Sequence, residues 1–497
     1  MILERLADLG SRQPQRPALL DAHGQLSYAE LHAAVVATAA VLKDRGIRTL
    51  GLLLDNSPAW VIVDLAALHA GIRIIPLPTF FSREQIAHAI EDAGIDTLCT
   101  GSENAHAWPG FTQQTSPVPS TVLLQTSRSD AADIFPVGTA KVTFTSGTTA
   151  RPKGVCLGTA AMRSVAESIV TATADLHIEK HLCLLPLSLL LENIAGVYAP
   201  LLAGAGVILP SGRERGLTGS QQLDTGKLFT CLHAWRPHSL VLVPQMLKAL
   251  TIAAGRGMPL PDSLRFVAVG GARVSLALLQ ESRRVGIPVY EGYGLSECTS
   301  VVALNHPGAD HAGSVGKPLP HARLRITTGG EIQVSGATLL GYAGQPPQED
   351  AWFATGDLGF IDADGYLHLK GRTRNAFITA YGRNVNPEWP ESELARFPEI
   401  AQAIVFGEAR ENNMAIIQPA SADLSDSVID ACVDAANDLL PDYARVHDWL
   451  RADAAFSVEN GLLAPGGKPR RDAVWMHYQP RIEDPSNASV QRIRGTG

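Results

Sequence analysis

Cysteine is scarce in this chain: six residues among 497, with no two set as Cys-x-x-Cys. That excludes a disulfide scaffold or a zinc ribbon and predicts reduced thiols in a cytoplasmic protein. A basic surplus is also missing. The 41 lysines and arginines face 49 acidic residues, for a net charge of −8, which argues against a nucleic-acid partner. No apolar run is long and unbroken. The most apolar stretch, 182–210, is interrupted by Pro186, Glu192, Asn193 and Pro200, so it predicts a buried helix between two buried strands and no transmembrane segment. Peripheral membrane contact stays open. The start, MILERLADLGSRQPQ, lacks the apolar core of a signal peptide and predicts an amphipathic helix.

What is present is a large apolar content, 45% hydrophobic against 18% charged. It supports sizeable cores spread over two or three domains. From about residue 50 to 297, short β-branched runs alternate with helical patterns. Strands are expected at 50–54, 72–77, 141–145, 239–244 and 264–270, and helices at 57–71, 82–94, 162–176 and 275–286. This alternation predicts an α/β fold, with helices covering mostly parallel sheets. After residue 313 the pattern becomes β-rich, with hairpins around Gly329-Gly330 and Asp362-Ala363-Asp364-Gly365. A smaller α+β unit follows. The expected division is a large N-terminal domain, 1–372, and a C-terminal domain, 373–497, whose last segment after Tyr478 reads as loosely ordered. No internal repeat is present.

Four segments carry chemistry. Thr145-Ser146-Gly147-Thr148-Thr149-Ala150-Arg151-Pro152-Lys153-Gly154 follows an apolar strand. Its hydroxyls, free backbone N–H groups and lysine suit a phosphate. It is not a Walker A loop, because Pro152 and Gly154 flank the lysine where Gly and Ser/Thr are required. In Glu291-Gly292-Tyr293-Gly294-Leu295-Ser296-Glu297, two glycines admit a close ligand, Tyr293 can stack on a base and Glu297 can hold Mg²⁺. Cys298 stands where a hydrolase elbow needs glycine, so Ser296 is no nucleophile. Thr355-Gly356-Asp357 and Gly371-Arg372 suit a ribose. Finally, Lys468 follows Gly466-Gly467 on a late loop that can swing into a site. Taken singly, each segment also reads as an ordinary turn, ion pair or basic patch.

In this order the four resemble the adenylate-forming superfamily of acyl-CoA synthetases, AMP ligases and luciferases. The likeness runs from Leu26-Ser27-Tyr28-Ala29-Glu30-Leu31 to Lys468 and includes Gly313-Ser314-Val315-Gly316-Lys317-Pro318 and Gly341-Tyr342. The resemblance implies that Thr145, Ser146, Gly147, Thr148, Thr149 and Lys153 hold the ATP phosphates. Gly270, Gly271 and Ala272 would border adenine and the acyl pocket. Glu291, Gly292, Tyr293, Gly294 and Ser296 would line the nucleotide site, with Tyr293 on adenine. Asp357 and Arg372 would hold ribose, and Glu297 would bind Mg²⁺. Lys468 would bridge the acyl carboxylate and the α-phosphate, making Lys468, Glu297 and Thr145 the catalytic set. Arg374 falls at the family's hinge, about which the small domain moves.

The segment Leu185-Pro186-Leu187-Ser188-Leu189-Leu190-Leu191-Glu192 is similar to the long-chain fatty acyl-CoA synthetase branch, with Leu189 in place of the family histidine. It implies an acyl pocket at Leu189, Glu192 and Gly271 and a fatty acid as substrate, with aryl and branched acids left open. ATP, Mg²⁺ and coenzyme A are the implied cofactors and co-substrates. The alternative acceptor is the phosphopantetheine arm of an acyl carrier protein. A reading from another class is a non-catalytic nucleotide- or acyl-binding relative. The presence of Lys468, Glu297 and Asp357 counts against it. The oligomeric state is not legible.

Overall fold

The computed structural model describes all residues except 1, 82, 109, 127–133, 146–152, 219–221, 374, 376, 380–383, 409, 411, 465–466, 483–489 and 493–497. Local signals account for many of its elements. Ser27 caps the helix Tyr28–Asp44, accepting from the Glu30 N–H, while the Glu30 carboxylate accepts from the Ser27 N–H at 2.7 Å. That reciprocal capping box is the physical content of the Leu26–Leu31 motif. The helix Pro58–Ala70 starts on a Ser57 cap with proline in its first turn and stops at Gly71, whose φ of 71° suits glycine.

The large unit holds two main sheets. One has nine strands and is parallel through its middle, where Gly206–Ile208, Lys180–Leu182, Ser239–Leu242, Phe266–Val269 and Val289–Leu295 lie side by side. The other has eight strands, with a parallel centre of Lys141–Thr145, Arg73–Pro76, Thr49–Leu53 and Thr97–Gly101 and antiparallel edges. A four-stranded antiparallel sheet, Ala322–Ile326 through Leu367–Arg372, follows as the β-rich part. The expected strand at 239–244 ends at Leu242, because Pro244 opens the helix Pro244–Gly255.

Residues beyond Arg372 build the smaller α+β unit. It contains a sheet of Ile400–Phe406, Asn413–Pro419, Val446–Arg451 and Val490–Arg492, with helices Glu388–Leu394, Asp426–Asn437 and Arg471–Ile482. The tail expected to be loose after Tyr478 is therefore partly built in. The last helix continues through Pro480 to Ile482, and Val490–Arg492 pairs with Val446–Arg451. The two units meet where Lys248 of helix Pro244–Gly255 donates to the carbonyls of Phe397 and Ile400.

The apolar stretch after Leu182 folds as expected into a helix between strands, but its first part, Glu192–Tyr198, is π-helical before continuing into Ala199–Ala203. A buried polar cluster holds it. Lys141, fully buried, pairs with Asp64 at 2.7 Å and donates to Tyr198 Oη at 2.9 Å and to Asn193 Oδ1. Its ammonium also lies 5.7 Å from the centre of the Trp60 ring. Burial lowers the Lys141 pKa, and Asp64 opposes that shift. Among the described residues, no helix is long and apolar enough to cross a membrane.

Removing one member of a buried pair leaves the other charge without compensation. Lys141→Ala is expected to lower unfolding free energy by about 3–5 kcal/mol, read by urea denaturation. Lys141→Met with Asp64→Asn should recover part of that loss.

Candidate active site

The carboxyl ends of the parallel strands open on one cleft of ≈ 900 Å³, where loops gather in folds of this kind. Strands Lys141–Thr145 and Lys153–Leu157 pair antiparallel, with Thr145 opposite Lys153. The connection bearing Ser146, Gly147, Thr148 and Thr149 lies outside the described residues, as does Arg374. Lys153 lines the cleft, 5.2 Å from the centre of the Tyr342 ring.

Gly270 and Gly271 follow strand Phe266–Val269 and also line the cleft. Gly271 has a φ of 82°, and Ala272 is exposed beside it without joining the lining. Along Val289–Leu295 side chains alternate between faces. Gly292 and Gly294 border the cleft, whereas Glu291 is buried outside its lining. Gly294 admits no side chain, since a Cβ there would sit 1.5 Å from the Ser300 carbonyl oxygen. Burial pushes the Glu291 carboxyl up to about 8, against the Val274 N–H and the Arg273 guanidinium, which favour its charged form.

Tyr293 joins the lining but is mostly buried, packed with Cys298, Val302 and Val334. Its hydroxyl donates to Asp357 Oδ2 at 2.7 Å. Asp357 and Arg372 face each other across neighbouring strands, and Arg372 Nε donates to Asp357 Oδ1 at 2.8 Å. The spacing of Tyr293, Asp357 and Arg372 along the chain gives no hint of this triad; only strand register creates it. Ser296 and Glu297 close the same wall, and Tyr342 Oη donates to Glu297 Oε1 at 3.2 Å. The half-exposed Glu297 carboxylate is the hard oxygen donor that Mg²⁺ takes.

Lys468 arrives from the small unit. Its loop is pinned by the Ala464 N–H, which donates to the Lys468 carbonyl at 2.7 Å, and by a bridge between Leu463 and Pro469. The residue keeps an exposed surface on its loop, yet the cleft walls crowd its ammonium. That desolvation, ahead of repulsion from Arg372, holds the pKa below the ordinary lysine range, while Asp357, Glu297 and Glu388 pull it back. One cleft therefore gathers Lys153, Gly271, Glu297, Arg372 and Lys468 from widely separated parts of the chain.

Away from these groups the cleft deepens between strands Ser239–Leu242 and Phe266–Val269 and helices Thr159–Ala172 and Ala199–Ala203. Ile169, Val170, Ala203, Val241 and Phe266 are among its walls. Leu189 lines it, but Glu192 stands fully buried behind it. Phe80 and Phe81, in edge contact at 5.6 Å, also line it, as do His181 and Ser239. Sequence reasoning missed these four. Ser239 opens the strand expected at 239–244, whereas His181 lies in the short strand Lys180–Leu182, just before the apolar stretch, where no strand was expected.

A two-domain α/β architecture with a polar crevice closed by a late lysine defines a nucleotide-dependent enzyme of the adenylating type. The chain belongs to the AMP-binding enzyme family, matching it over residues 6–341, and residues 375–487 match the AMP-binding enzyme C-terminal domain. A 2-succinylbenzoate–CoA ligase of Bacillus licheniformis is 29% identical over 79% of this chain and 84% of its own length. The long-chain-fatty-acid–CoA ligase FadD15 of Mycobacterium bovis is 33% identical over 45% of this chain and 42% of its own. The O-succinylbenzoate coenzyme A synthetase of Bacillus subtilis in complex with ATP and magnesium superposes with a TM-score of 0.73, at 23% identity over 94% of this chain and 98% of that one. The long-chain branch expected from residues 185–192 is not singled out by these relatives.

Glu291 offers a test of its placement. A buried acid with a raised pKa is protonated in the folded chain and ionised in the unfolded one between about pH 4.5 and 8. The unfolded state then binds fewer protons, so stability falls as pH rises through that window, by at most about 1.4 kcal/mol per unit. Glu291→Gln should remove this slope, measured as denaturation free energy from pH 5 to 8.

Proposed function

We propose that the protein is an ATP- and Mg²⁺-dependent ligase that activates an apolar carboxylic acid as acyl-AMP and passes it to coenzyme A, releasing AMP and pyrophosphate. The observation that carries this reading is the single cleft, which joins a polar end furnished by both units to an apolar tunnel. In the first step an acid oxygen bonds to the α-phosphorus of ATP as the bond to pyrophosphate breaks. In the second, the thiol sulfur bonds to the acyl carbon and AMP leaves.

Both reactants of the first step are anions. Two unit charges ~4 Å apart repel by about 4 kcal/mol at an effective dielectric of 20. Lys468 offsets that repulsion and the charge that grows in the transition state. Glu297 would hold Mg²⁺, which would supply further charge neutralisation on the phosphates. Asp357 and Arg372 hold the ribose, Tyr293 and Gly271 border the adenine, and the hairpin from Thr145 to Lys153 takes the phosphates. Movement of the small domain about Arg374 withdraws Lys468 once the adenylate has formed and makes room for the thiol.

The acid is the finer part of the reading. The lysines and arginines in the cleft lining, Lys153, Arg372 and Lys468, all stand at the nucleotide end. 2-Succinylbenzoate has two carboxylates, and among the described residues no lysine or arginine of the lining stands at the acyl end to meet a second one. From Gly270 to Phe266 the tunnel runs four residues along a strand, about 13 Å at ~3.3 Å per residue. That length suits a monocarboxylic acid of roughly ten carbons at about 1.25 Å each. Burial contributes ~0.8 kcal/mol per CH₂, so a fatty acid of medium length fits best. The cytoplasm, with free coenzyme A, is the compartment that suits six free, buried cysteines. Parallel assays with coenzyme A and a loaded carrier protein separate the two acceptors.

Lys468→Ala should cut acid-dependent ATP–pyrophosphate exchange by about 10²–10³ while sparing thioester formation from preformed acyl adenylate. Equal loss of both half-reactions would refute the role given to Lys468.

A further inference from the structure

The acyl tunnel is not apolar throughout. At its deep end His181 and Ser239 occupy paired positions on adjacent parallel strands, and both line the cleft. His181 Nδ1 lies 2.9 Å from Ser239 Oγ. Behind the imidazole, Glu192 Oε1 lies 3.5 Å from His181 Nε2. Both side chains of this second pair are almost wholly buried, and neither the Glu192 oxygens nor His181 Nε2 have a hydrogen-bond partner. Cys183, beside them, gives its thiol to the Gly196 carbonyl at 3.4 Å, and burial keeps its pKa well above the ordinary thiol value. A polar row, Ser239–His181–Glu192, thus ends a tunnel walled mostly by hydrocarbon, where Thr173 also lines the cleft but gives its hydroxyl to the Ile169 carbonyl at 2.8 Å.

Burying three polar side chains here costs free energy unless something uses them. We propose that this row is a hydroxyl-binding subsite, so that the acid has a hydroxyl group near the end of its chain, about 13 Å from the carboxylate. The inference rests on the ligase reading above and names its substrate class. The Glu192 carboxylate draws the imidazole proton to Nε2, and Nδ1 then accepts from Ser239 Oγ–H. The serine oxygen is left with lone pairs towards the tunnel, where a hydroxyl donor satisfies it. Among the described lining residues, no lysine or arginine stands at this end to meet a second carboxylate. Ser239 touches the substrate, and Glu192 is a positioning residue acting through His181.

The test is pyrophosphate release by the full chain with ATP, Mg²⁺ and coenzyme A. The acids are decanoate against 10-hydroxydecanoate, and hexanoate against 6-hydroxyhexanoate, whose hydroxyl is too short to arrive. A kcat/KM at least tenfold higher for 10-hydroxydecanoate, with no preference at six carbons, is expected. Ser239→Ala should bring the ten-carbon ratio to one or below, and Ser239→Thr, which keeps the hydroxyl, should restore it. Thermal melts check that each variant is folded. A preference for decanoate, or a ratio unmoved by Ser239→Ala, overturns the subsite. So does one equivalent of a divalent metal in the purified protein that is lost in Cys183→Ser, because His181, Cys183 and Glu192 place their ligand atoms within 4.8 Å of one another. Turnover of hexanoate but of neither ten-carbon acid overturns the subsite and leaves the ligase reading standing. Turnover of no acid overturns both.

Discussion

Two anions have to touch before an adenylate can form, and among the described residues of the large unit the cleft is lined by two cations, Lys153 and Arg372. Lys153 stands at the phosphate hairpin and Arg372 is engaged by Asp357. In the proposed reaction a further cation would come from the other unit, on the loop of Lys468, which lines the same cleft. Its surroundings are balanced in sign: Arg372 disfavours the ammonium, while Asp357, Glu297 and Glu388 favour it. An amine in such a place stays close to the nucleotide without being locked by one strong ion pair, as a group needed for only half of a reaction must.

The rest of the structure serves that meeting. The Lys141–Asp64 pair and the Tyr198 and Asn193 side chains fix the π-helical turn, and that turn presents Glu192 to the back of His181. Irregular helical turns of this kind occur often at functional sites. A polar framework deep in one core thereby braces the wall of the acyl tunnel, with Asp64 reaching it from more than 100 residues away in sequence. At the nucleotide end, strand register does comparable work, setting Asp357 against Arg372 and bringing Tyr293 beneath both.

Much of the fold could be read in advance because its signals are local. The Ser27 capping box, the Ser57-Pro58 start with its Gly71 stop, and the turn at Asp362–Gly365 each act within a few residues. The alternation of strands and helices announced the parallel sheets. Gly294 was read as a place where a ligand comes close, but what bars a side chain there is the Ser300 carbonyl of the neighbouring strand. What stayed hidden depends on packing between distant segments. Lys141 was legible only as the first residue of a strand, and the fold surrounds it with Asp64, Trp60 and Tyr198. His181 and Ser239 carry no local signal, and parallel pairing sets them side by side. Glu291 belongs to the motif around Tyr293, but strand alternation turns it away from the cleft into a buried place beside Arg273. The segment 185–192 borders the acyl pocket at one side and does not specify the whole tunnel, whose walls come from strands and helices far along the chain.

In the proposed enzyme, nucleotide and acyl chain share one continuous cleft, with the reacting carbonyl between them. Calorimetric titration with a non-hydrolysable decanoyl sulfamate of adenosine tests it most directly, because linking two ligands that share a cleft makes the second contact intramolecular. The account predicts binding at least 100-fold tighter than AMP, displaced by AMP and by decanoate alike. Binding no tighter than AMP, with no competition from the acid, would contradict it.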